Sequence, residues 1–346
     1  MKILIVGEGR YPLYEVAFAN WYEQQGFQVS RFFWKDLFRQ TKWSISYWQE
    51  KFRVGPIINT INQNLIEEIQ KKKQPDFVFI YRGAFIKKET IDEIKKTTLV
   101  FGYNNDDPFS TKYPFYYWKI YKKSAILYDH MFCYREKNIH DYLSLGLKSD
   151  KLSVLLPYYI KEKDYKNRIK DKKIDAVFIG HFENDGRDYM FLNALKSGLG
   201  LEIYGTGWEK SKVYKSLTSY LGRSIFPIYG DEYRDKINES HVSVVLFSKL
   251  NNDLYTRRCF EIPAAGSVMF CEDNSFMRSL WESEKHAFYF EKENFTKQLR
   301  KLLEIKGKLP EIELMAKERL TSMKFEVGDR CQQVINKYYE INSIRR

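Results

Sequence analysis

The chain of 346 residues is short of cysteine, of long apolar runs and of acidic charge, and each shortage removes a class of protein. Its four cysteines, Cys133, Cys259, Cys271 and Cys331, stand far apart without paired spacings. Neither a disulfide framework nor a zinc ribbon is read from them, and a reduced, cytoplasmic setting is expected. His130, Cys133 and His140 lie close in sequence but lack a partnered ligand set; a core strand with a surface histidine explains them, and no metal is expected. No apolar run is long enough to span a bilayer. The opening KILIVG is too short for a secretory leader, runs straight into folded pattern and reads as a strand. A Gly-x-Ser-x-Gly elbow and a Walker lysine loop are both missing. Gly7-Glu8-Gly9 begins like a dinucleotide fingerprint, but Pro12 stands where the third glycine belongs and no acid closes the second strand, so no NAD is expected. A tight turn is the first reading of Gly9, and approach of a substrate to its backbone the second.

The deficit of acids leaves a formal net charge of +12, from 57 Lys and Arg against 45 Asp and Glu. Clustered cations would point to nucleic acid. Here they are scattered: Lys71 to Lys73, Lys87/Lys88, Lys95/Lys96 and Lys122/Lys123 fall at ends of predicted helices, where a solvated face or a helix-dipole partner accounts for them. No zinc-finger or RNA-binding aromatic signature accompanies them, and nucleic acid is not an expected partner. An anionic substrate, or peripheral contact with anionic lipid at the inner face of the membrane, fits the charge better.

What the sequence has in quantity is alternation of strand-like and helix-like stretches. MKILIVG, FQVSRFFW, PDFVFIYRG, TLVFGYN, AILYDHMFCYR and LSVLLPYY read as strands, with helices at Leu13 to Gln25, Asn59 to Lys73 and Glu89 to Lys96. Lys161 to Lys173 is nearly all charged and reads as an exposed linker. A second series follows: IDAVFIG, a helix at Asp188 to Lys196, LEIYG, a helix at Tyr233 to Glu239, HVSVVLFS, a short helix from Thr256 to Gly266, SVMFCED and a charged helical tail. Chain length favours two domains. The expectation is therefore α/β, with two Rossmann-like doubly wound domains facing across a cleft: residues 1–158, residues 159–330, and a helical tail, 331–346, packing back on the first domain.

Ligands of such sheets sit at the carboxyl ends of strands. In the second half, Gly180 ends one strand, with His181 beside it and Arg187 at the next helix; Tyr204 and Gly205 end another; Tyr229 precedes a further helix. Singly each is a turn, but together with the arginines they favour a nucleotide or phosphate site. In TRRCFEIPAAGSVMFCED, Glu261 can accept hydrogen bonds from both hydroxyls of a ribose, while Arg257 and Arg258 neutralise a diphosphate. The competing reading is an ion pair of Glu261 with Arg257, one helical turn away.

In the first half, Asp106 and Asp107 are the acids best placed to orient or deprotonate an acceptor hydroxyl. Asn-Asn-Asp-Asp-Pro is equally good turn and cap chemistry. Arg82 and Gly83 end the preceding strand and, with Gly9, can line the same acceptor side. Tyr113, Tyr116, Tyr117, Trp118 and Tyr121 recur at helical spacing, which is packing in the first reading and sugar stacking in the second.

TRRCFEIPAAGSVMF resembles the Arg-x-Phe-Glu-Ile-Pro-Ala-x-Gly signature of CgeB-like, spore-maturation-type glycosyltransferases with the GT-B fold. YRGAFIKKETIDEIKK followed by VFGYNNDDPFS is similar to that family's strand, helix and Asp-Asp-Pro segment. The resemblance implies a metal-independent transferase without a cofactor, moving sugar from a nucleotide-diphosphate sugar on the C-terminal domain to a glycan or lipid-linked glycan acceptor on the N-terminal one. It implies that Glu261 is the second acid of a Glu-x7-Glu element, with Asp253 as a shortened first acid. His181 stands where relatives carry Arg or Lys after the glycine, so the diphosphate falls to Arg187, Arg257 and Arg258. A nucleotide-sugar epimerase or phosphorylase-like enzyme on the same fold, and a non-catalytic glycan- or membrane-surface-binding protein, are the alternative expectations.

Overall fold

The computed structural model describes residues 1–39, 43–71 and 74–345. Lys72, Lys73 and Arg346 of the stretches read above lie outside them. The chain divides into two compact units, residues 1–156 with 327–346, and residues 157–326.

The first unit is built on β1 (Lys2–Gly7), β2 (Gln28–Phe33), β3 (Phe77–Tyr81), β4 (Leu99–Asn104), β5 (His130–Cys133) and β6 (Leu152–Val154), ordered β2-β1-β3-β4-β5-β6 with every pair parallel. Strands with helices on both faces are buried on both faces and read as unbroken apolar runs; FVFIY in β3 and LVFGYN in β4 are buried at every position. The helix Pro56–Lys71 repeats Ile57, Ile61, Leu65 and Ile69 along one face and lays them into the core with Val78 and Val100. The helix Val327–Arg345 belongs to this unit: the Tyr22 hydroxyl donates to the Cys331 carbonyl at 3.1 Å, and Tyr338 packs against Phe77.

The second unit holds β7 (Ile174–Ile179), β8 (Leu201–Tyr204), β9 (Ser240–Val245), β10 (Val268–Glu272) and β11 (Ala287–Phe290), ordered β11-β10-β9-β7-β8, again parallel throughout. Strand order reverses between β7 and β9, and a crevice for ligands opens at the carboxyl ends beside such a reversal. Among the described residues no helix is long and apolar enough to cross a membrane.

Of the sequence readings that change, AILYDHMFCYR and LSVLLPYY shorten to the strands His130–Cys133 and Leu152–Val154, and two others change in kind. β11 escaped them: AFYF is four apolar residues without alternation, and only its pairing with β10 makes it a strand. Lys161–Lys173 is not a bare linker. It is largely exposed, but Asp164, at the end of the short helix Lys161–Asp164, is wholly buried, and the Lys172 ammonium is buried 2.9 Å from Glu313.

Candidate functional site

The helix Arg258–Ala265 follows β9, and Gly266, at φ +83°, ends it and turns the chain into β10. On its first turn Glu261 points inward and is 5% exposed. Its carboxylate accepts from the Tyr233 hydroxyl at 2.9 Å and lies 3.2 Å from Arg257 Nε. Arg257 donates onward to Asp164 Oδ2 at 3.0 Å and to the Tyr158 carbonyl at 3.2 Å. Asp164 also receives Arg234 Nε at 2.8 Å and the Ile160 amide at 2.7 Å. Burial pushes the Glu261 carboxyl upward and Arg257 pulls it back. The ion pair of Glu261 with Arg257 is therefore present, as one link in a buried chain of two carboxylates, two arginines and a tyrosine.

Arg258 stands differently. Its Nη1 donates to the Ile179 carbonyl at 2.7 Å, at the end of β7, while its Nε is buried with no partner. Among the described residues it makes no ion pair, and its charge acts on Glu261 and on Tyr233 alike. Directly above it is Gly180, where a methyl group would come within 2.8 Å of Arg258 Nη1. Gly205, at φ +143°, closes the neighbouring strand end so tightly that an added Cβ would lie 1.9 Å from the Gly180 carbonyl oxygen. The Trp208 indole donates to that same carbonyl at 2.9 Å.

Arg187, expected at a diphosphate, is turned inward. It is 2% exposed, sits 2.8 Å from Asp185 Oδ1 and donates to the His181 carbonyl at 2.9 Å, so it braces the loop from Gly180 to Gly186. Lys292 holds Asp185 from the other side at 2.7 Å. Arg257, expected in the same role, spends its donors on Asp164, Glu261 and Tyr158. His181 is exposed, 3.0 Å from Glu183. Tyr204 directs its hydroxyl to Glu202 under the guanidinium of Arg223, and Tyr229 is an exposed residue capping the helix Gly230–Asn238. Asp253 lies half-exposed in the loop leading to Arg258, its amide donating to the Ser248 carbonyl at 2.9 Å.

In the first unit, β1, β3 and β4 end on a second cluster. Arg82 has φ +54° and donates its amide to the Tyr103 carbonyl at 2.7 Å. Its guanidinium lies 2.7 Å from Asp106 and 3.3 Å from Glu8, 5.8 Å above the Trp118 ring. Burial works against that charge, and the two carboxylates more than offset it. Gly9, at φ +73°, donates its amide to the carboxylate of Glu15, whose pKa burial raises. A methyl at Gly83 would press within 2.9 Å of the Tyr128 hydroxyl. Asp107 is completely enclosed; it accepts from Asn138 at 2.9 Å and from the Phe109 amide at 3.0 Å, the geometry of a turn acid. Sequence reading brought Arg82, Asp106 and Gly9 to one place and missed Glu8 and Glu15 beside them. In the second unit it missed Tyr233, Arg234 and Asp164, polar residues on helices whose inward orientation carries no local signal.

Residues 187–336 match the family described as "Glycosyl transferase-like". The sequence matches none of the curated proteins. Among solved structures, sucrose-phosphate synthase from Thermosynechococcus elongatus superposes with a TM-score of 0.70 at 10% identity, covering 99% of this chain and 100% of that one. Anabaena HepE, solved in complex with UDP and glucose, gives 0.66 at 12% identity, covering 98% and 100%. A glycosyltransferase from Rickettsia africae gives 0.67 at 11% identity, covering 98% of each. At these identities the likeness is one of fold. Two parallel sheets of 6 and 5 strands with flanking helices make this the GT-B fold, and the matched segment carries a glycosyltransferase-like sequence within it.

Proposed function

We propose that the protein is a glycosyltransferase that takes a sugar from a nucleotide-diphosphate sugar, bound by the second unit, and passes it without a metal to a glycan acceptor bound by the first. Arg258 carries the reading: a cation at the carboxyl end of β7, without an ion pair among the described residues and with a buried Nε unused, beside a carboxylate fixed in place. A buried unpaired donor is costly unless a ligand completes it. Arg258 holds the diphosphate and stabilises the negative charge that grows on it as the sugar leaves, and Glu261 accepts the ribose hydroxyls. Asp106, held 2.7 Å from Arg82, accepts the hydrogen bond of the acceptor hydroxyl and orients it. Asp107, enclosed in its turn, takes no part. The resemblance to CgeB-like enzymes and the UDP and glucose of the HepE complex support the nucleotide-sugar donor.

Calorimetric titration with UDP, GDP, dTDP and CDP, on wild type, Arg258→Met and Glu261→Gln, tests the site. One diphosphate should bind wild type and bind Arg258→Met about 10- to 100-fold more weakly, the loss expected for a charge-assisted contact. Failure of all four to bind would remove the donor assignment. Product analysis with the matching nucleotide sugar then separates transfer from epimerisation.

A further inference from the structure

We propose that an exposed aromatic face of the first unit, centred on Trp48 and Phe115, docks the protein on an anionic phospholipid bilayer surface. Five rings from two separate segments form one unbroken row. Tyr47 meets Trp48 edge-on at 5.7 Å, Trp48 stacks on Phe52 at 5.3 Å with planes 4° apart, Phe52 meets Tyr116 at 5.4 Å, and Tyr116 meets Phe115 at 5.6 Å. Packing at this quality would ordinarily be core, yet Trp48 is 55% and Phe115 91% exposed, and Val54, two residues beyond Phe52, is 61% exposed. A contiguous exposed apolar face of this kind marks an interaction site.

The chemistry of the face selects the partner. Tryptophan and tyrosine favour the boundary between headgroups and acyl chains, where one end of the ring is dry and the other wet. The Lys51 ammonium lies 5.4, 5.5 and 5.6 Å from the centres of the Tyr47, Trp48 and Phe52 rings, so a cation sits on the aromatic face itself, where a headgroup phosphate would meet it. Acids are scarce around it. The helix Trp43–Phe52 has one, Glu50, already paired with Lys35 at 2.5 Å, and residues 111–123 carry four lysines and no Asp or Glu. A glycan platform sets rings beside hydrogen-bonding groups in a groove; here the most exposed groups are Phe115, following Pro114, and Val54, which offer a sugar no hydrogen bond and favour an apolar phase. The contact is peripheral, for no described helix can span a bilayer, and it stands apart from the donor assignment.

Vesicle co-sedimentation of the full chain tests it, with phosphatidylcholine alone against phosphatidylcholine with phosphatidylglycerol. Wild type should partition onto the anionic vesicles, more weakly as salt rises, and little onto the neutral ones. The double variant Trp48→Ser with Phe115→Ser should bind about tenfold less or worse, the loss for two interfacial rings, while Tyr220→Ser, an exposed tyrosine of the second unit, should bind as wild type. Since all the altered residues are surface groups, unchanged circular dichroism and melting verify folding. Three results would overturn the proposal: no partitioning of wild type onto anionic vesicles, equal partitioning of the double variant, or a wild-type dimer in solution that the double variant dissolves, which would give the face to a second copy of the chain.

Discussion

Gly205 has no room for a single further atom. Its φ of +143° is open to glycine, and a Cβ there would lie 1.9 Å from the carbonyl oxygen of Gly180, a backbone atom that cannot rotate aside. Gly205→Ala must therefore push the ends of β7 and β8 apart, and with them the carbonyl that Trp208 holds. A drop in melting temperature and a loss of nucleotide-diphosphate binding are expected together; Gly198→Ala, where a methyl meets open space, should alter only the backbone strain. Unchanged binding by Gly205→Ala would mean that the ligand does not use this strand end. The same scale separates three arginines that look alike in sequence. Arg187 and Arg257 are neutralised by Asp185 and Asp164, whereas Arg258 makes no ion pair among the described residues and keeps a buried Nε without a partner. Sequence marked all three and could not rank them: Asp164 lies 93 residues from Arg257 and meets it only in the fold, and Asp185, two residues before Arg187, is turned onto it only by the loop that both belong to.

Among elements, the buried network joins three helices: Lys161–Asp164, Gly230–Asn238 and Arg258–Ala265. Asp164 is its hub, shared by Arg234 and Arg257. Asp164→Ala leaves both guanidinium groups short of a buried partner, so the second unit should lose about 3–5 kcal/mol, read from urea denaturation. Loss of less than about 1 kcal/mol, the worth of an exposed pair, would show that water reaches the cluster. Strands such as FVFIY and IDAVFI were legible because burial on both faces writes a continuous apolar run, and the helix Pro56–Lys71 was legible by its period, although it begins three residues before the expected Asn59. β11 and the anchoring of Asp164 were not, since each depends on a partner distant in sequence. At the site, glycines and the Arg-Phe-Glu signature were readable, whereas the inward residues Tyr233 and Arg234 sat on an otherwise polar helix.

For the molecule as a whole, acid stability turns on a residue outside both clusters. His130 of β5 is 1% exposed, bonded through Nε2 to Ser153 at 2.7 Å and packed on Phe132. Burial, with the Lys337 charge from the helix Val327–Arg345, holds its pKa down at about 3. An unfolded chain takes up that proton near pH 6.5. Between these values the unfolded state binds more protons than the folded one, so stability falls as pH falls, from about 6.5 down to about 3, and this residue adds no further loss below that. Asp185 adds a second step in the other unit. Burial raises its pKa, but Arg187 and Lys292 outweigh burial and hold it at about 2, so its contribution is full above about pH 4 and drains away only toward pH 2. The two windows make the histidine separable. His130→Asn, which keeps a polar group for Ser153 and cannot titrate, should flatten the decline in first-unit stability between pH 6.5 and 4.5 and leave the second-unit loss toward pH 2 in place. Melting curves of wild type and variant across that range decide it: parallel declines would mean that His130 is already protonated in the folded protein, and that Ser153 and Phe132 do not keep the proton out.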